Sequence, residues 1–170
     1  KPYILAPNHQ NAFMDPVITA INIRWTQTFY LVRADIFKKK LASKILHSLN
    51  MMPIYRIRDG ADSMEKNNEI FEKCYAYLKG GNPIMIFPEG NHNNQKKLRA
   101  VKKGIGRIAF GAEELNDFKL DVQIVPVGLN YSNHTNVGAT LQVAFGKPIS
   151  ILDYKEAYLA EPSKALLSVR

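Results

Sequence analysis

The feature that most constrains this chain is a succession of short apolar runs, most of them closed by a proline or polar turn. YILAPN (3–8), TFYLVRAD (28–35), MPIYRI (52–57), PIMIFPEG (83–90), VQIVPVGLNY (122–131) and TLQVAFGKPI (140–149) are rich in β-branched and aromatic residues. Between several of them the apolar spacing switches to that of helices. Asp15-Pro16 predicts a helix start, an N-cap acid followed by proline, continuing through 17–24. The stretch 36–50 is amphipathic, with Ile36, Phe37, Leu41, Ile45 and Leu49 near one face. Residues 62–79 carry the stripe Ile70, Phe71, Cys74, Leu78 and end at Gly80-Gly81. Further helices are expected at 104–114 and 153–161. Strands alternating with helices predict an α/β fold, a mostly parallel central sheet flanked by helices. The 170 residues suit one domain, 1–170, with a substantial core.

Composition narrows the partners. Net charge is +8, which attracts polyanions: nucleic acid, anionic lipid or phosphorylated substrates. The cations gather in IFKKKLASK (36–44) and QKKLRAVKKG (95–104). No apolar run reaches the 18 residues of a membrane span, and no signal peptide is visible. The chain starts at Lys1 without a Met and reads as a piece of a longer one, which leaves open an anchor segment outside it. The single cysteine, Cys74, excludes an intramolecular disulfide; its place in a helical pattern predicts a buried apolar role, and a reducing cytoplasmic setting fits it.

In sheets of this type ligands bind beyond the carboxyl ends of the strands. His9 follows the first strand, Arg56 and Arg58 end or follow the third, and Glu89-Gly90 follow the fourth. His9 with Asp15 suits a base and its orienting carboxylate, or else a loop histidine and an unrelated helix cap. In FPEG the strand turns at Pro88 and exposes Glu89, while Gly90 lets backbone approach a ligand; a solvated acid at a turn is the plainer alternative. Arg56 and Arg58, two apart, share one strand face and could clamp a phosphate, or snorkel from an edge strand. Each motif alone favours the plain reading.

Their order is more specific. NHQNAFMD (8–15), PIYRIR (53–58), FPEG (87–90) and IVPVG (124–128) resemble, in sequence, the four blocks of the glycerolipid acyltransferase family. That family contains the 1-acylglycerol-3-phosphate and glycerol-3-phosphate acyltransferases. LRAVKKG (98–104) is similar to the continuation after the third block. Two departures stand out. The family usually places four residues between His and Asp; here there are five, which demands a bulged loop for Asp15 to reach His9. The arginine usual after Pro-Glu-Gly is replaced by His92, with Lys102 and Lys103 as alternative cations.

The resemblance implies transfer of a fatty acyl group from acyl-CoA or acyl-carrier protein to an acceptor hydroxyl, in phospholipid synthesis. His9 acts as general base, Asp15 holds its ring, and no covalent acyl-enzyme, metal or cofactor is involved. Arg58, with Arg56, binds the acceptor phosphate; Glu89, Gly90, His92, Lys102 and Lys103 shape or charge the acceptor site. The acceptor is lysophosphatidic acid-like or a glycerol phosphate. It also implies the cytoplasmic face of a membrane, with peripheral association or an anchor absent here. For residues 36–49, packing on the sheet with a wet lysine face is the expected role, contact with a bilayer the alternative.

Three rivals stay open. A metallohydrolase would use His9, Asp15, Glu89 and His92 as ligands, but the tight ligand spacing of such sites is missing. A basic module binding nucleic acid or acidic lipid fits the charge, but the basic clusters lack interleaved aromatics, so no nucleic acid partner is expected. A degenerate family member would bind lipid without transferring acyl groups.

Overall fold

The structure is a computed structural model that describes residues 1–11, 14–15, 17–18, 28–56, 59–60, 62–90, 99–133 and 138–169. Seven strands form one sheet: β1 Tyr3–Pro7, β2 Phe29–Arg33, β3 Met51–Ile54, β4 Ile84–Ile86, β5 Gln123–Tyr131, β6 Leu141–Phe145 and β7 Ile149–Ser150. The order is β3-β2-β4-β1-β5-β6, with β7 also paired to β5. β1 is parallel to β4 and β5, and β2 is parallel to β3 and β4. Only β6 and β7, among the described strands, run antiparallel to their neighbour. The α/β class with a mostly parallel sheet is what the alternating pattern predicts.

The central strands are apolar because both their faces are covered. On one face Ile4, Ile84, Ile86 and Ile124 pack with helices α2 (Ser63–Lys79) and α3 (Gly104–Glu114). Ile70, Cys74 and Leu78, at i, i+4 and i+8 of α2, are buried against that face. α2 ends at Gly80, and Gly81 follows with φ +77°. Leu5, Tyr30, Met85, Val127, Leu129 and Tyr131 build the second cluster on the other face. Cys74 is fully buried, and burial pushes its thiol up to about 12, so it is a core residue and no nucleophile at neutral pH.

Several expectations are corrected. The run 140–149 is two strands: Pro148 has no N–H to give a ladder, and Gly146 N–H turns to Pro126 O at 2.8 Å. The last helix is divided: a 3-10 turn Ile151–Tyr154, then α4 Lys155–Ala160, then α5 Pro162–Ser168, with Pro162 opening α5. Asp15 is not an N-cap. It already lies in helical backbone, its N–H bonded to Asn11 O at 3.2 Å, and Asn11 Oδ1 caps the turn by accepting Met14 N–H at 3.1 Å. The remainder of the expected helix through residue 24 lies outside the described residues, save 17 and 18, which are helical.

The stretch after β2 is a 3-10 turn Ala34–Phe37 followed by α1, Lys40–Ser48. α1 does not pack as expected. It buries no residue, and Ile36, Leu41, Ile45 and Leu49 are exposed, Leu41 to 73%. The half-buried residues of α1 are Ala42, Ser43 and Leu46. One apolar stripe faces the protein weakly while a second, rotated by about a quarter turn, faces out.

Candidate active site

Four chain segments meet at the carboxyl ends of β1, β4 and β5. Asn8 continues the β1–β5 ladder with its side chain: Nδ2 donates to Leu129 O at 3.0 Å and Oδ1 accepts Leu129 N–H at 2.6 Å. Its own N–H donates to Val127 O at 3.2 Å. The backbone entering His9 is therefore fixed to a strand. The His9 ring, only 12% exposed, stacks on Phe87 with centroids 4.2 Å apart. His9 Nδ1 lies 3.0 Å from Asp15 Oδ2.

The five-residue spacing is accommodated by the loop's own amides. Asp15 Oδ2 also accepts the N–H groups of Gln10 and Asn11, each at 2.8 Å. The backbone at Gln10 and Asn11 thus wraps the carboxylate. Asp15 Oδ1 accepts the Tyr131 hydroxyl at 2.6 Å. A fully buried carboxylate is tenable only with such a set of donors. Burial, reinforced by the adjacent Asp15 charge, pushes the Tyr131 hydroxyl up, so it stays protonated.

Glu89 is not a solvated acid. It is 4% exposed, and its Oε1 accepts the His9 N–H at 3.1 Å. The turn that delivers it is closed by Gly90 N–H to Phe87 O at 3.1 Å, with Gly90 at φ +72°. Lys102 N–H donates to Pro88 O at 2.7 Å, and its Cγ lies beside Gly90. The exposed Lys102 and Lys103 are thereby brought to the rim, Lys103 preceding α3.

Arg56 does not lie in a strand, and Arg58, expected beside it on a strand face, lies outside the described residues. β3 ends at Ile54, and Arg56 stands in a turn in which its N–H donates to Asp59 Oδ2 at 2.7 Å. Asn67 pins the preceding Tyr55 through both its backbone groups, at 2.9 and 2.8 Å. Arg56 Nη2 is buried and unpartnered among the described residues. Arg58 and His92 lie outside the described residues.

Beside the His9 loop opens a cavity of about 540 Å³. Its walls are mostly aliphatic, from Ala6, Ile105, Ile124, Pro126, Ile149 and Val169, and Asn8, Gln10 and Glu89 stand at it as polar groups. Gln10 Oε1 is buried without a partner among the described residues. Among the described residues no group of three or more His, Cys, Asp or Glu could hold a metal ion.

Sequence reading missed Tyr131, Phe87 and the ladder-forming Asn8. A signal for Tyr131 was present. Val127, Leu129 and Tyr131 alternate along β5 onto one face, and a tyrosine ending an aliphatic row seeks a polar partner.

The comparisons agree with this geometry. The Acyltransferase family model matches residues 1–130. The chain is 29% identical over 102 residues to glycerol-3-phosphate O-acyltransferase 2 of Saccharomyces cerevisiae, covering 59% of this chain and 14% of that enzyme. It is 32% identical over 82 residues to glycerol-3-phosphate O-acyltransferase 1 of the same yeast, 48% of this chain and 11% of that enzyme. The chain thus spans a small part of the length of the curated relatives it matches. In fold it resembles the crystal structure of the 1-acyl-sn-glycerophosphate acyltransferase from Thermotoga maritima, with TM-score 0.57 and 18% identity over 88% of this chain and 56% of that one. With the matched stretch running from the His9 loop through the Val-Pro-Val of β5, this chain belongs to the glycerolipid acyltransferase family.

Proposed function

We propose that this chain carries the acyl-transfer site of an O-acyltransferase, moving a fatty acyl group from acyl-CoA or acyl-carrier protein to a lysophosphatidic acid-like or glycerol phosphate acceptor. The observation that carries the reading is the 3.0 Å approach of His9 Nδ1 to a buried Asp15 beside an apolar cavity. With Nδ1 held by Asp15, the acceptor's hydroxyl proton passes to Nε2 as its oxygen attacks the thioester carbonyl. Asp15 stabilises the imidazolium that forms, and the thiolate leaves readily. General-base assistance of this kind is worth ~10²–10⁴-fold.

The cavity of about 540 Å³ suits the acyl chain, and Gln10 Oε1 at its mouth is an acceptor for a substrate hydroxyl. Arg56 belongs to the phosphate end. β3 stands three strand positions from β1, on the order of 14 Å at ~4.8 Å per strand. An arginine side chain and a phosphorylated glycerol together bridge that distance. By the family resemblance, Arg58 and His92 serve the acceptor's phosphate end together with Lys102 and Lys103, and Glu89 and Gly90 shape the acceptor site.

The reading includes association with a membrane surface, and α1 supports it. Leu41, Ile45 and Leu49 project outward at i, i+4 and i+8, flanked by Lys38, Lys39, Lys40 and Lys44. The chain enters α1 from the carboxyl end of β2, so the lysine cluster stands at the same end of the sheet as His9. Each lysine adds on the order of 1 kcal/mol near an anionic surface. The reading is tested by thiol release from palmitoyl-CoA and acyl-carrier protein with a panel of lysolipids and glycerol-3-phosphate. Acceptor-dependent release with the matching acylated product supports it. No release with any pair, in a chain carrying its native flanking sequence, overturns it.

A further inference from the structure

The two oxygens of Asp15 are held from different directions. Oδ2 meets His9 and two amides of the same loop; Oδ1 accepts the hydroxyl of Tyr131, 116 residues away, at 2.6 Å. We propose that Tyr131 is a positioning residue of the acyl-transfer site: its hydroxyl fixes the rotation of the Asp15 carboxylate against the His9 ring. The proposal rests on reading His9 as the base. Tyr131 lies one residue beyond the stretch matched by the family model, so nothing in that match assigns it.

The fold delivers this hydroxyl on a rigid support. Asn8 extends the β1–β5 ladder as far as Leu129. Tyr131 is the last residue of β5, its register fixed against Leu141 of β6, and it is 6% exposed. The loop occupies Oδ2 with two backbone amides as well as the ring. The Tyr131 hydroxyl anchors Oδ1 from outside the loop and restrains the carboxylate from the rotation about its Cβ–Cγ bond that would carry Oδ2 off the imidazole. The hydroxyl stays a donor across the working pH range because burial and Asp15 both hold it protonated.

Among the described residues, the charged and titratable groups around His9 include Asp15, Glu89 through the His9 N–H, and Tyr131 through Asp15, with Lys102 beside the Gly90 turn. Tyr131→Phe removes one oxygen and keeps the packed ring. Without the hydroxyl's hydrogen bond the carboxylate is freer to rotate, and the His9 ring loses part of its orientation. The experiment is the NMR spectrum of the His9 ring in the full protein, its signals assigned by their loss in His9→Ala. In Tyr131→Phe the ring N–H that faces Asp15 should exchange with water measurably faster than in wild type. In thiol-release kinetics Tyr131→Phe should lower kcat by about tenfold or more, with KM for palmitoyl-CoA and acceptor within about twofold. Unchanged exchange of that ring N–H overturns the proposal, as does an unchanged kcat. The spectrum decides the role of Tyr131 even if no acyl transfer is found, so the two readings fail separately.

Discussion

Glu89 Oε1 accepts the backbone N–H of His9 at 3.1 Å, joining the Pro-Glu-Gly turn to the histidine loop across 80 residues. The acid of the third block is therefore first a structural acceptor for the first block. Glu89→Gln keeps an acceptor oxygen and should retain most activity. Glu89→Ala leaves a largely buried N–H unpaired, at about 1–3 kcal/mol in stability, and loosens the loop. Thermal unfolding and kcat measured on both variants separate them: equal losses would show that charge, and not the hydrogen bond, is what the site requires.

Asp15→Asn should be severe for a reason visible in its partners. Oδ2 accepts two backbone N–H groups and faces His9 Nδ1, and Oδ1 accepts the Tyr131 O–H. An amide must turn its NH₂ toward one of those sets of donors. The expected loss is about 1–3 kcal/mol in stability together with the ~10²–10⁴-fold attributed to the base. His9→Ala should lose comparable activity while unfolding at nearly the wild-type temperature. Wild-type turnover in His9→Ala would sink the mechanism.

Gly90→Ala isolates a backbone effect. At φ +72° an added Cβ would meet Lys102 Cγ at 3.6 Å, an ordinary contact. The cost comes from the left-handed backbone, about 1–2 kcal/mol. Denaturant unfolding should show that loss with an unchanged m-value.

Cys74 gives a pH dependence with a definite sign. Its thiol ionises near the ordinary 9.0 when unfolded and near about 12 when folded. Above the unfolded value the unfolded state releases its proton first. The contribution to stability is thus fully present below pH ~9 and is lost as pH rises toward ~12, at up to about 1.4 kcal/mol per pH unit. Other groups titrate there too, so the test is the difference between wild type and Cys74→Ala across that window. A difference that stays flat with pH contradicts the assignment. The folded thiol should also resist alkylation at neutral pH.

The exposed stripe on α1 should bind lipid without supporting the fold. Leu41→Glu with Ile45→Glu should abolish sedimentation with anionic vesicles and leave stability within about 0.5 kcal/mol. Charge reversal at Lys38, Lys39, Lys40 and Lys44 should weaken binding to anionic vesicles and spare the little binding seen with neutral ones. Loss of stability in the Leu41/Ile45 variant would mean that the stripe packs within the protein.

The sequence by itself determined the order and type of the central elements. Runs such as YILAP and PIMI are apolar throughout because parallel strands are covered on both faces, and Ile70, Cys74 and Leu78 repeat at the helical period because one face of α2 is buried. It also placed His9 and Glu89 at equivalent strand ends. The rest needed tertiary structure because it is made of contacts between segments distant in sequence. That Asp15 reaches His9 despite the longer spacing depends on backbone amides folding around a carboxylate. That Glu89 turns inward, and that Tyr131 closes on Asp15, depends on β1, β4 and β5 standing side by side. The outward face of α1 was equally hidden: periodicity reveals that a helix has an apolar stripe, but only its seat against the sheet decides which part of that stripe is covered.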